Sequence, residues 1–135
     1  HAARADAHDW LVGQTGAAKR VVRAIGRVRA LGIAAEIAAT VTRSTMPLLA
    51  ELVELAASIG VERVSFQRVV PVDSDDFVVL TPRIGLLEPY LVNAVATGIE
   101  KKVAVELHGF PECAARRAQK SFVAASAVRW LVPFH

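Results

Sequence analysis

Residues 33–70, IAAEIAATVTRSTMPLLAELVELAASIGVERVSFQRVV, decide the fold of this chain. Residues 33–42 alternate between apolar and polar or small side chains, and residues 61–70 hold a second alternation around Phe66, so both segments are predicted strands. Between them, leucines recur at helical spacing up to Ile59, and Gly60 ends the helix. Because two strands joined by one helix pair in parallel with a right-handed crossover, this stretch predicts a β-α-β unit.

The segments on either side extend the same architecture. Upstream, Asp9 is expected to cap a short turn, and Thr15 is expected to begin a helix that ends near Gly32. Within the central unit, Ser44 or Thr45 is expected to cap the helix. The downstream elements predicted are an acidic loop over 71–76, a helix over 81–100 with a kink near Pro89, a strand over 103–107, a turn over 109–111 and a helix over 113–131.

The polar sides of the three predicted strands favour a barrel. In an open doubly wound sheet, helices cover both faces, so both faces are apolar. Here each strand has one apolar and one polar face, as expected when the polar face lines the interior of a full or partial barrel. Thr42, Gln67 and His108 stand nearest the carboxyl ends of the strands and are expected to lie closest to a substrate. The polar set consists of Glu36, Thr40, Thr42, Ser65, Gln67, Glu106 and His108.

Some members of this polar set also have a purely structural interpretation. The hydroxyls of Thr40 and Ser65 are as well explained by local hydrogen bonds as by a function. The carboxylates of Glu36 and Glu106 would each need a partner or water, because a buried unpaired carboxylate is costly.

Composition limits the class of protein. The chain has 135 residues, of which 53% are hydrophobic, so residues 1–135 are expected to form a single domain with a substantial core. One cysteine, Cys113, rules out an internal disulfide and makes a reducing cytoplasm the expected location. Charged residues interrupt every long apolar run, so no membrane partner is expected. The first residue is His1 rather than Met, which fits a fragment or a processed chain.

The positive charge is concentrated early in the chain. The net charge is +3, and the predicted helix that begins at Thr15 holds five of the cations. A basic helix raises the hypothesis of nucleic-acid binding, but no aromatic residues stand among these cations to stack bases. We therefore interpret them as the solvated face of an amphipathic helix and do not expect a nucleic-acid partner. The five cations are Lys19, Arg20, Arg23, Arg27 and Arg29.

The order of several short motifs resembles the later part of the barrel of a radical S-adenosylmethionine (SAM) enzyme. His8-Asp9-Trp10-Leu11-Val12-Gly13, followed by Gly16, resembles the stretch after the third strand of that family. Residues 31–61 resemble the fourth strand, its helix and the start of the fifth strand. Residues 64–71 resemble the rest of the fifth strand, including its terminal proline. The sixth unit of that family is resembled by Thr81-Pro82 and by Gly109-Phe110-Pro111-Glu112-Cys113. In all, the resemblance covers most of residues 8–113.

The resemblance implies a partial (β/α) barrel with parallel strands. In that family, a reduced [4Fe–4S] cluster cleaves SAM to a radical that abstracts hydrogen from a substrate, here a small molecule or a peptide. The resemblance assigns SAM contacts to Thr40, Thr42, Ser65 and Gln67, with Arg43 as a partner for a carboxylate or simply as an exposed loop charge. Glu36, Glu106 and His108 are then expected to contact the substrate.

The sequence departs from the family in three places. Thr45 stands where the family often has Asn, and Asp73-Ser74 stands near a common Gly. The family also holds its cluster with three closely spaced cysteines, whereas this chain has only Cys113. We therefore expect this chain to be a portion of a radical SAM core that holds neither cluster nor SAM by itself and is inactive alone.

Several alternatives remain open at this point. Cys113 is interpreted as a buried small hydrophobe, and the other interpretation is a ligand or a reactive thiol. No metal site is expected, because His108 and Cys113 would supply only two ligands. The alternative function is a non-catalytic α/β module that binds a ligand or a partner on the polar strand face. A barrel fragment would leave sheet edges unpaired, so self-association of the isolated chain is expected.

Overall fold

A computed structural model describes residues 1–72, 74–114 and 121–123 of the chain and shows a mixed α/β fold. Its sheet consists of β1 (Ile37–Val41), β2 (Arg63–Arg68), β3 (Ala104–His108) and a two-residue strand, β4 (Phe122–Val123). All neighbouring strands are parallel, and their order in the sheet, β1-β2-β3-β4, is their order in the chain. The predicted β-α-β unit with parallel strands is therefore confirmed.

Five α-helices accompany the sheet in the described part of the chain. A 3-10 turn, Met46–Leu48, leads into the helix between β1 and β2, and a second 3-10 turn, Glu112–Ala114, follows β3. The helices are α1 (Ala5–Val12), α2 (Ala17–Ala30), α3 (Leu49–Ser58), α4 (Ser74–Leu80) and α5 (Ile84–Lys101).

The two crossover helices, α3 and α5, lie on the same face of the sheet and pack against each other. The apolar side chains of the strands form rows under them, because the register sets Ile37 beside Val64 and Val105, and Ala39 beside Phe66 and Leu107. Residue Phe66 is fully buried at the centre of this core. The helical residues that complete the core are Leu49, Leu52, Val53, Ala56, Leu87, Leu91 and Ala94.

Close packing of α5 on β3 depends on one glycine. A Cβ atom at Gly98 would lie 2.6 Å from Val105 Cγ2 and 2.7 Å from the carbonyl oxygen of Val103. Both distances are far below ordinary van der Waals contact, so the helix reaches this close to the strand only because residue 98 has no side chain.

Consecutive parallel strands with both crossover helices on one face are the arrangement found in a (β/α) barrel. A doubly wound sheet instead reverses its strand order and carries helices on both faces. The sheet described here is open, so it corresponds to a partial (β/α) fold rather than to a closed barrel.

The structure corrects the predicted start of the first strand. Residues 33–36 were expected to belong to it, but the strand begins at Ile37. The register that pairs Ile37 with Val64 sets residues 33–35 opposite residues 60–62, which form the end of the α3 turn and the approach to β2. These residues have no strand to pair with, so they remain irregular.

Helix α4 replaces the second half of the predicted acidic loop. The loop was expected over 71–76, whereas the helix starts at Ser74. An acidic residue in a first turn interacts favourably with the helix dipole, and here Asp75 is the second residue of the helix. The acidic stretch is therefore a helix start.

The end of the chain also differs from the prediction. A helix was expected over 113–131, but the described residues Phe122–Val123 form strand β4. Most of the remaining predicted span lies outside the described residues. The helix predicted over 81–100 is present as α5, which runs without interruption through Pro89.

Asp9 caps a different element from the one predicted. It lies inside α1, and its carboxylate accepts hydrogen bonds from the backbone amides of Ala18, at 2.8 Å, and of Gly16. These amides are free donors at the start of α2, so Asp9 takes the capping role expected of Thr15. The same hydrogen bonds, first that of Ala18, hold the pKa of Asp9 below its ordinary value.

Candidate functional site

The candidate site is the sheet face opposite α3 and α5, near the carboxyl ends of the strands. The register sets Thr40, Gln67 and His108 side by side across β1, β2 and β3. Ser65 and Glu106 are neighbours in the next row of the same face. The sequence-predicted polar residues of three strands are thus brought onto one face.

Thr40 takes the place in this row that was expected for Thr42. Strand β1 ends at Val41, so Thr42 lies beyond the sheet, where it is buried. Its backbone N–H donates to Thr45 Oγ1 at 2.9 Å, and the N–H of Thr45 lies 3.3 Å from Thr42 Oγ1. This reciprocal arrangement is a capping box for the turn that leads into α3, so the hydroxyl of Thr42 is engaged in local structure. It also lies 3.1 Å from the hydroxyl of Ser44.

A chain of polar contacts crosses the polar face from β2 to β3. Arg63 Nη1 donates to Glu106 Oε1, while His108 Nε2 lies 3.2 Å from Glu106 Oε2. The side chain of Glu106 is 27% exposed and that of His108 is 22% exposed, so both groups are half-buried. The carboxylate of Glu106 thus has the partner that a half-buried charge needs.

Sequence reasoning missed Arg63 as a member of this face. The signal was present, since Arg63 has the same strand parity as Ser65 and Gln67 and must therefore point to the same side. Its partnership with Glu106 depends on the β2–β3 register, which no local pattern specifies.

Glu36, Ser65 and Gln67 differ in accessibility. Glu36 precedes β1 and is exposed, and Gln67 is also exposed. Ser65, in contrast, is buried at 3% exposure. The polar face is therefore accessible at its β1 side and at its carboxyl end, and more closed at its centre.

Arg43 lies against the connection between α4 and α5. Its backbone N–H donates to the carbonyl oxygen of Leu80 at 2.8 Å, and its Nη2 donates to that of Thr81 at 3.2 Å. The side chain is exposed, so further guanidinium donors remain accessible. The buried hydroxyl of Thr81 has no hydrogen-bond partner among the described residues.

A second surface feature lies beside the free edge of β1. An open cleft there is lined by residues that include His8, Gln14, Arg20 and Glu36. The N–H of Thr40 points to this edge and donates to His1 Nδ1 at 3.3 Å. His8 is buried, and this burial lowers the pKa of its imidazole.

Cys113 is exposed, which corrects its interpretation as a buried hydrophobe. In the 3-10 turn Glu112–Ala114 it is Ala114, only 1% exposed, that points into the core. Within residues 1–72, 74–114 and 121–123, no three His, Cys, Asp or Glu side chains are grouped as metal ligands would be.

Comparisons with family models, with curated proteins and with solved structures gave no match. Among the helices of the described residues, none has both the length and the hydropathy needed to cross a bilayer.

Proposed function

We propose that this chain is the later part of a radical SAM core domain and that its polar strand face forms part of the wall that binds SAM and a substrate. The observation that carries the proposal is the register that sets Thr40, Gln67 and His108 in one row. In (β/α) barrels, catalytic and binding side chains stand at the carboxyl ends of the strands. The row lies at that end and on the face away from the helices.

The side chains of this face match the chemistry of the nucleoside part of SAM. The hydroxyl of Thr40 and the amide of Gln67 supply donors and acceptors suited to ribose hydroxyls and to the edge of adenine. Arg43 supplies a guanidinium for the carboxylate of the amino-acid part. In the proposed enzyme these residues would hold SAM, and the chemistry that SAM would supply beside a reduced cluster is radical hydrogen abstraction.

The residues of this chain do not fit the iron–sulfur cluster itself. A [4Fe–4S] cluster is held by cysteine thiolates, and the chain contains one cysteine. The cluster ligands of the proposed enzyme would therefore have to come from another part of the protein, and the coding sequence upstream of His1 is the place to look for three clustered cysteines.

On the substrate side, His108 and Glu106 form the proposed binding pair. Glu106 bridges Arg63 and His108, so the imidazole is held by its Nε2 atom, while its Nδ1 atom makes no hydrogen bond with the described residues.

The test uses the full-length protein that carries this chain, reconstituted anaerobically with iron and sulfide. An EPR signal of a reduced [4Fe–4S] cluster and the formation of 5′-deoxyadenosine from SAM are expected. Thr40→Val and Gln67→Leu should each raise the apparent Kd for SAM by about 2- to 10-fold, the effect of losing one hydrogen bond of about 0.5–1.5 kcal/mol. Thr97→Val on the exposed side of α5 is the matched control and should leave SAM binding unchanged.

A protein with no cluster, or with a cluster that produces no 5′-deoxyadenosine, would refute the proposal. The alternative is a non-catalytic module that binds a ligand on the same face. In that case the Thr40 and Gln67 variants would weaken binding of the ligand, and no SAM cleavage would be detected.

A further inference from the structure

Helix α2 is the most highly charged element of the described structure. Its 14 residues contain five cations and no acidic residue, so the helix carries a charge of +5 in a chain whose net charge is +3. Of its residues only Ala17 is buried. Such a charge on an exposed element is a candidate binding surface for an anion.

Two of the five cations are engaged within the chain. Arg29 Nη1 donates to the carbonyl oxygen of Ile59 at 2.7 Å, and Arg20 Nη1 lies 3.3 Å from the carbonyl oxygen of Thr15. Lys19, Arg23 and Arg27 make no hydrogen bond or ion pair with any described residue. Their charges are therefore not neutralised by the part of the chain that the structure describes.

Lys19, Arg23 and Arg27 form a row along one side of the helix, and we refer to them as the basic row. Their spacing of four residues sets them above one another on one face, over about 12 Å of helix axis. The surface depression beside the row is lined only by α2 residues. No other described element covers it.

The apolar side of α2 is only partly covered by the body of the molecule, since Val21 is 45% exposed and Val22 is 36% exposed. Ile25 packs against the core, and together with Ala18 and Val21 it lines a narrow cavity over Leu55 and Ile59. A helix that lies in a membrane surface needs its apolar side free to enter the lipid. The apolar residues of α2 are alanines, valines and one isoleucine, without the Trp, Phe or Leu typical of a helix that inserts into lipid, so a nucleic acid is favoured over a membrane as the partner.

The sequence alone argued against a nucleic-acid partner, but three cations without a partner among the described residues change that interpretation, and we propose that the basic row of α2 binds the phosphate backbone of a nucleic acid. Guanidinium groups pair with phosphate through two parallel hydrogen bonds, and a row of about 12 Å matches three to four phosphates of one strand at about 3.4 Å of axis each. No aromatic side chain stands in α2 to stack a base, so the contact is to the backbone and independent of sequence. This surface is separate from the polar strand face, so the inference goes beyond the function proposed above.

The experiment measures binding of the chain to a fluorescein-labelled DNA duplex of random sequence by fluorescence anisotropy, over a series of salt concentrations. Three phosphate contacts predict a slope of log K against log salt of about −2.7. Arg23→Gln combined with Arg27→Gln should reduce the size of that slope by about 2. The charge-conserving pair Arg23→Lys and Arg27→Lys should retain it.

The matched control removes two exposed cations elsewhere, Arg83→Gln with Lys102→Asn, and should leave the slope unchanged. Circular dichroism melting curves are compared for all variants, which should unfold at similar temperatures because every changed side chain is exposed. An equal loss of binding in the control pair would overturn the proposal, since net charge alone would then explain it. Failure to bind the duplex at low salt, or tighter binding to poly-glutamate or to phosphatidylglycerol vesicles, would also overturn it.

Discussion

Gly98 offers the sharpest test of how closely α5 packs on β3. The change is Gly98→Ala, which adds one methyl group where the space between helix and strand is already filled. The new Cβ would lie 2.6 Å from Val105 Cγ2 and 2.7 Å from the carbonyl oxygen of Val103. Favourable contact between such atoms begins at about 3.5 Å, so α5 and β3 would have to separate by most of an ångström.

Two effects of opposite sign decide the magnitude. Alanine is about 0.8–1.0 kcal/mol better than glycine inside a helix, whereas overpacking a core costs about 1–3 kcal/mol. The control is Gly26→Ala in α2, where glycine is exposed and a Cβ would meet no atom within 4 Å. The helix-propensity gain is common to both variants, so Gly98→Ala should be less stable than Gly26→Ala by about 1–3 kcal/mol.

The assay is urea unfolding followed by circular dichroism. With a slope of about 1.5 kcal/mol per M, the difference corresponds to a midpoint about 0.7–2 M lower for Gly98→Ala than for Gly26→Ala. Gly85→Ala in the first turn of α5, also in open space, serves as a second control. Equal midpoints for Gly98→Ala and Gly26→Ala would show that α5 is not held against β3 in the way described.

Three further predictions concern the core, the turn after β1 and the buried imidazole. Phe66→Ala should lower the free energy of unfolding by about 3–5 kcal/mol, since Phe66 is fully buried between the two crossover helices and the sheet; a urea midpoint unchanged from that of the parent chain would contradict its central position. Thr45→Val should lower the free energy of unfolding by about 1–3 kcal/mol, because the buried N–H of Thr42 loses its acceptor. Thr97→Val on the surface of α5 should change this free energy by less than about 0.5 kcal/mol. Equal effects of the two substitutions in thermal melts would contradict the stabilising role of the capping box. Burial lowers the pKa of His8, so as the pH falls below about 6.5 the imidazole takes up a proton in the unfolded chain before it does so in the folded chain. The free energy of unfolding should therefore decrease from there down to the folded-state pKa and stay constant below it. His8→Gln should flatten this part of the curve of urea midpoint against pH, and an unchanged curve would show that other groups cause it.

The strand–helix–strand order could be predicted because it depends on the local periodicity of apolar side chains. An alternation of two residues marks the strands around Ala39 and Phe66, and helical spacing marks α3 between them. The polar face could be predicted for the same reason, since parity alone assigns Thr40, Ser65 and Gln67 to one side of their strands.

The details that failed depend on contacts between distant segments. Asp9 caps α2 across a turn, the irregular start of β1 follows from its pairing with β2, and Cys113 is exposed because Ala114 takes the inward position. Each of these outcomes depends on which residues meet in space, and a single sequence does not record that.

The sequence by itself therefore determined the kinds of elements, their order and the two-sided character of the strands, because side-chain periodicity is a property of neighbouring residues. Only the tertiary structure decided the register, and with it that Thr40 rather than Thr42 stands beside Gln67 and His108 and that Arg63 reaches Glu106. A shift of one residue between parallel strands would move every side chain to the opposite face, so this choice is made by the packing of α3 and α5 on the apolar rows.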